Sequence, residues 1–246
     1  MHWYKFWFES RVRFLASGVV LAAYCVSFVQ QARYSFPPVM EPALPSSGYV
    51  WRGIYNGIDT LVFVIVAVML GLGGLQRERS TGTAGFTLAL PTTRCELLMP
   101  RAAVALVQVA LLAMIPAVVV PWMSSHIGRV YPITQSLKFA GLFAMTGSVW
   151  VSAGFFWSAL FTGEHTGTIV CILMPILYAA AVNGTALRQY PSANIFNVMS
   201  GARLPVLDRT TSLLVGPFPW TTMLAMTLVA AALLCAAVVV TSREDF

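Results

Sequence analysis

Six stretches of this chain run with at most one charge for lengths that match a lipid bilayer, and that feature limits its possible folds. They are Phe14–Gln31, about Ile54–Leu75, an interval within Ala102–Ser125, about Phe139–Phe161, about Thr166–Leu187 and about Trp220–Thr241. A hydrocarbon core takes roughly 20 helical residues to cross. Lipid offers no hydrogen-bond partner, so a crossing segment must satisfy its own backbone, and uninterrupted apolar runs of this length do so as α-helices. Composition agrees: 58% of residues are hydrophobic and only 10% charged, against about 25% charged in soluble domains. No polar block is long enough to fold separately. The expectation is an all-α membrane protein, a single domain over residues 1–246 with six transmembrane helices.

Two segments outside the spans carry patterns of their own. In residues 1–13 and just beyond, Trp3, Phe6, Trp7 and Phe14 fall on one helical face while Lys5, Glu9 and Arg13 fall off it. This predicts an amphipathic N-terminal helix lying in the membrane interface. The same charges and aromatics argue against a cleaved leader, so the first apolar run is expected to stay as a span. Residues 188–219 are rich in Pro, Ser, Asn and Thr yet keep Ile195, Phe196, Val198, Met199, Leu204, Val206 and Leu207. Short interfacial or re-entrant helices before the sixth span, packed on the bundle, suit that mixture.

The net charge of +6 does not point to nucleic acid, because the 15 basic residues are dispersed among apolar spans rather than gathered on a face. In such a chain the loop charges bear on topology and on contact with membrane lipid. Six spans put both termini on one side, but the basic residues divide almost evenly between the two sides and leave orientation open. Cys25, Cys95, Cys171 and Cys235 form no CxxC pair and make neither a zinc site nor a disulfide framework.

Most of the specific information lies between spans two and three, in the loop 76–101. Ser80 or Thr81 can cap a short helix. Phe86, Leu88 and Leu90 supply an apolar ridge, and Pro91 ends regular structure. Pro100 is placed for the first turn of the next helix. Arg77, Glu78, Arg79, Arg94 and Glu96 rim the ridge with mixed charge, a pattern suited to docking a soluble partner.

Here the chain resembles the ABC-2 type permeases, the membrane subunits of a class of bacterial ABC exporters. The resemblance rests on a span followed by Glu78-Arg79-x-x-Gly82-Thr83, an apolar stretch to Leu88-x-Leu90-Pro91, then Arg94 and a basic residue, Arg101, opening the next span. The chain departs from the family pattern at Ala84-Gly85, where an acid is frequent, and at Arg101, where lysine is. The resemblance implies that the loop is a cytoplasmic coupling helix, with Arg77, Glu78, Arg79, Gly82, Thr83, Phe86, Leu88, Leu90, Pro91 and Arg94 facing an ATP-binding cassette subunit. It further implies a second permease subunit completing a homo- or heterodimer, ATP and magnesium held by the partner and no cofactor in this chain. Its setting would be the bacterial inner membrane, with both termini cytoplasmic.

Independent of the resemblance, the chain lacks a phosphate loop. Its lysines, Lys5 and Lys138, follow no glycine-rich run, so it is not expected to be an enzyme and ATP hydrolysis would belong to another chain. His2, His126 and His165 are poorly placed for intramembrane hydrolysis or metal binding. Asp59 enters span two in its first turns, at an end that water is expected to reach, and is read as a helix-start carboxylate or a pathway contact. Glu164 sits in the turn between spans four and five, as a solvated residue or a second partner contact. Two other readings stay open: a non-transporting scaffold docking a cytoplasmic partner, and an ion-driven carrier, which would require an interior ionisable group.

Overall fold

The computed structural model describes residues 2–35, 46–72, 94–161, 164–184, 194–202, 204–208 and 210–243. Among them the chain is all-helical, with a single isolated antiparallel bridge between Leu207 and Leu214. Helix α1 spans His2–Ser35 and α2 spans Ser46–Val50, leading into a π-helical turn at Trp51–Tyr55. Then come α3 (Ile58–Gly71), α4 (Arg94–His126), α5 (Ile133–Leu160), α6 (Glu164–Gly184), α7 (Ile195–Ser200) and α8 (Trp220–Arg243).

Among the described residues five helical segments are long and apolar enough to cross a membrane: Trp3–Tyr34, Ser47–Gly71, Leu98–His126, Ile133–Leu160 and Trp220–Ser242. The protein is a multi-pass membrane protein. At the position of the expected fifth span, α6 contributes a shorter apolar stretch, Thr168–Val182.

Three expectations are corrected. Residues 1–13 do not form a helix of their own, because α1 continues from His2 through the first span. No proline interrupts it, Gly18 falls within the helix and beyond residue 13, and the Ser10 hydroxyl donates back to the Phe6 carbonyl instead of capping a new helix. Pro100 lies inside α4, not in its first turn, since that helix already begins at Arg94. Span two is not one helix. Alone, the 14 residues of α3 reach only about 21 Å, short of a ~30 Å hydrocarbon core. The crossing therefore needs α2 and the π-turn as well.

Pairwise contacts give the directions. α1 and α4 are parallel: Ser10 meets Gln108, and Gly18 meets Leu112 and Ile115. α3 is antiparallel to α1, since Cys25 meets Asp59 while Arg13 meets Leu72. α3, α5 and α8 run the same way, with Tyr55 on Phe139, Phe63 near Gly147, Gly71 against Gly154, Phe218 on Gly141 and Met226 clustered with Val149. The chain's N-terminal end, the start of α4 and the ends of α3, α5 and α8 thus share one end of the bundle. The 127–132 connection and residues 201–216 gather at the other.

Two features fix the core. Tyr55 stacks on Phe139 with ring centroids 4.1 Å apart, and Phe63 meets Phe143 at 5.0 Å. Each such pair contributes about 0.5–1.5 kcal/mol beyond area burial. Below them α3 and α5 cross at Gly71 and Gly154, where a Cβ added to either would lie 2.3 Å from the Val151 carbonyl or 2.5 Å from that of Val68. Close helix approach through small residues is how bundles pack where lipid supplies no hydrophobic drive.

The segment before α8 packs on the bundle, as its composition suggested. Asn194 caps α7 by accepting from the amides of Phe196 and Asn197. Val198 is buried among Val149, Met226 and Ala230 of α5 and α8, so α7 is packed into the bundle. Gly201 then takes φ +68°, which glycine adopts without strain, and turns the chain back.

Candidate functional site

Of the residues singled out for partner coupling, Arg77, Glu78, Arg79, Gly82, Thr83, Phe86, Leu88, Leu90 and Pro91 lie outside the described residues. Arg94 and Glu164 are described as the first residues of α4 and α6. What is described is the frame from which the 73–93 segment departs and to which it returns.

At that frame, Arg13 Nη1 donates to the Leu72 carbonyl at 2.7 Å. Leu72 closes the C-terminus of α3, and a cation there complements the helix dipole and an otherwise orphan carbonyl. Arg101 Nη2 lies 3.5 Å from Glu9 Oε2, and its guanidinium carbon sits 4.6 Å from the Phe6 ring centre. Lys5 reaches the same carboxylate at 3.9 Å. Gln108, fully buried, donates from Nε2 to Ser10 Oγ at 2.7 Å. All of these groups except Lys5 line a cleft between α1, α3, α4 and α5. The start of α1 is thereby tied to both ends of the loop, through Leu72 on α3 and Arg101 on α4. Gln108 was not singled out from sequence, although a lone amide inside an apolar run was the available signal.

The second constellation surrounds the broken span. A π-turn and the bend at Asn56 and Gly57 free backbone carbonyls that lipid cannot solvate. Side chains meet them: Tyr24 Oη donates to Gly53 O at 3.2 Å and Thr60 Oγ1 to Ile54 O at 3.1 Å. The break is sterically committed to glycine, since a Cβ on Gly57 would stand 2.3 Å from the Gly53 carbonyl oxygen.

Asp59 does lie in the first turn of α3, as expected, but the expectation that water reaches it is overturned: it is 0% exposed. α1 covers it, and the Cys25 thiol donates to Oδ2 at 3.9 Å. Helix α2 and the π-turn extend the chain past it, so the acid is not at the end of the crossing. Nearby, the hydroxyl of Tyr131 is buried without a hydrogen-bond partner.

The end of the bundle beyond this break is covered by the described residues among 201–216. Trp51 Nε1 donates to Ser200 O at 2.7 Å, and the Ser47 hydroxyl donates to Thr211 O. Gln135 bonds both backbone groups of Leu214, and Lys138 Nζ donates to the Leu214 carbonyl at 2.9 Å. The Asp208 carboxyl is held below the usual carboxylate range, first by the Thr210 amide and then by the Thr210 and Thr211 hydroxyls. Among the described residues no cluster of three or more His, Cys, Asp or Glu stands ready for a metal. No protein-family model and no curated protein matches the chain.

Proposed function

We propose that this chain is the permease subunit of an ATP-driven exporter, of the ABC-2 type, working as a dimer seated on separate ATP-binding subunits. The observation that carries the reading is the 76–101 segment: Glu78-Arg79-x-x-Gly82-Thr83, Leu88-x-Leu90-Pro91 and Arg94 between two apolar crossings. The multi-pass helical bundle supports it, as does the anchoring around that segment. A partner pushing on the loop would act on α3 at Leu72 and on α4 from Arg94 onward, and Arg13 and Arg101 would pass the displacement to α1. In this reading α6 is the fifth of six crossings, the loop and both termini face the cytoplasm, and the membrane is the bacterial inner one.

The experiment is purification of the tagged chain from its native membrane, followed by identification of co-purifying chains and measurement of ATPase activity. The reading expects a subunit with Walker motifs, whose turnover drops when Glu78→Ala or Gly82→Asp is introduced here. Stable purification alone, with turnover indifferent to both substitutions, would overturn it.

One observation favours a second reading, an ion-driven carrier: a fully buried carboxylate in a broken span. It predicts transport that survives ATP depletion and fails in Asp59→Asn. A non-transporting scaffold would instead bring down a partner without Walker motifs.

A further inference from the structure

Asp59 is the one charged side chain fully buried among the described residues. Its Oδ1 has no hydrogen-bond partner there, and its Oδ2 meets only the Cys25 thiol. The titratable groups that face it are Tyr24 and Cys25 from α1 and Tyr55 from the π-turn, none of which is a cation. No cation of α4, α5, α6 or α7 pairs with it among the described residues.

Magnitudes decide which form of the acid this packing tolerates. Burying an unpaired ion carries a large desolvation cost even after relaxation. The start of α3 returns only a fraction of it. A thiol is a weak donor. The sum is against an ion, and a buried carboxyl so placed neutralises instead.

A metal cation in place of the proton is disfavoured by the same geometry. Hard cations take several oxygen ligands, but the carbonyls of Gly53 and Ile54 are already engaged by Tyr24 and Thr60. The amide end of α3 also repels positive charge. A proton needs one oxygen only, and Oδ1 is open.

We propose that Asp59 is a proton-binding site inside the bundle, occupied when α1 is packed against α3 as it is here. The proton comes from water and returns to it. Ionisation requires hydration that this packing excludes, so loss of the proton is linked to separation of α1 from α3 at the Cys25–Asp59 contact. The inference rests on burial and partners alone and holds whether or not ATP drives the protein.

Infrared spectroscopy of the full-length protein tests it, in vesicles of phosphatidylcholine and phosphatidylglycerol with aspartate carboxyls carbon-13 labelled. The chain has three aspartates, Asp59, Asp208 and Asp245, so the labelled bands are few. The expected neutral-pH spectrum shows an isotope-shifted protonated-carboxyl stretch from one group, lost in Asp59→Asn and kept in Asp208→Asn. Alkaline pH removes that band, together with faster thiol labelling of Cys25. Only ionised-carboxylate bands at neutral pH, or a protonated band that persists in Asp59→Asn, overturns the proposal. The wild-type spectrum alone decides against it if all the label is ionised, even where Asp59→Asn fails to insert.

Discussion

Replacing Gly154 by alanine tests whether the α3–α5 crossing holds the bundle together. The added Cβ would stand 2.5 Å from the Val68 carbonyl oxygen, where ordinary van der Waals contact begins at 3.4 Å. The obstacle is backbone, so no side chain can swing aside, and the helices must separate by about 0.9 Å. A radial gap of that size forfeits roughly a quarter to a half of the dispersion well for each atom pair along the contact. Overpacking of this kind costs about 1–3 kcal/mol, and a backbone obstacle places it near the top of that range. Alanine's better helix propensity returns about 1 kcal/mol. The net expectation is a loss of about 2 kcal/mol, close to a 30-fold change in the folding equilibrium. Reversible unfolding in mixed lipid and denaturing-detergent micelles reads that quantity. Gly141→Ala on the same helix is the control, because its Cβ meets only Phe218 Cζ at an ordinary 3.5 Å. It should be neutral or stabilising by up to about 1 kcal/mol. Gly71→Ala repeats the first effect, and the double variant costs less than the sum because both act on one crossing. If Gly154→Ala is as stable as Gly141→Ala, the crossing is not a tight contact and the reasoning fails.

Three further outcomes are expected. Gln135→Ala removes both side-chain bonds to Leu214 and should loosen residues 204–216 by about 1–3 kcal/mol, seen as faster hydrogen exchange at the Leu214 amide with α5 itself unchanged. Arg13→Ala, which removes the donor to Leu72 O, should speed exchange at the last turn of α3, whereas Arg13→Lys should restore part of the protection. The Asp208 carboxyl is held down by the Thr210 amide, so its folded-state pKa lies below its unfolded one. Its contribution is present above the ordinary carboxylate pKa and is lost as pH falls through the lowered value. Asp208→Asn should therefore abolish an acid-induced rise in Thr210 and Thr211 exchange that the unsubstituted protein shows.

Long apolar runs were legible because bilayer thickness imposes a length that chance rarely produces, and Trp220 to Thr241 matched its helix to within two residues. The 188–219 segment was legible through its mixture of polar turn residues and apolar anchors, which fits neither lipid nor water. What escaped were features set by distant partners. Asp59 read as a water-reachable end because the charge pattern starts span two near it, while its burial depends on Cys25, 34 residues earlier. The Gly71–Gly154 contact has no local signature, since glycines are common in spans and only the crossing selects these two. Residues 1–13 read as a separate helix because an aromatic face suits an interface equally well as a neighbouring helix; Phe6 and Ser10 settle on α4. The most informative motif, from Glu78 to Pro91, lies outside the described residues, so its reading still stands on sequence.

The described contacts also say where displacement would travel. α3 is a 14-residue helix, about 21 Å long, with a handle at each end: Arg13 grips Leu72 where the 73–93 segment begins, and Cys25 meets Asp59 where the helix starts. Both grips come from α1, so α1 and α3 cannot slide past one another without breaking one of them. α3 is in turn seated closely on α5 by the glycine crossing. A push at the loop end is therefore resolved at the weaker grip, and a thiol bond at 3.9 Å is weaker than a guanidinium bond at 2.7 Å. Under the proposed coupling the first opening would fall at Asp59, and the motion that transmits force along α3 would also admit water to the buried acid.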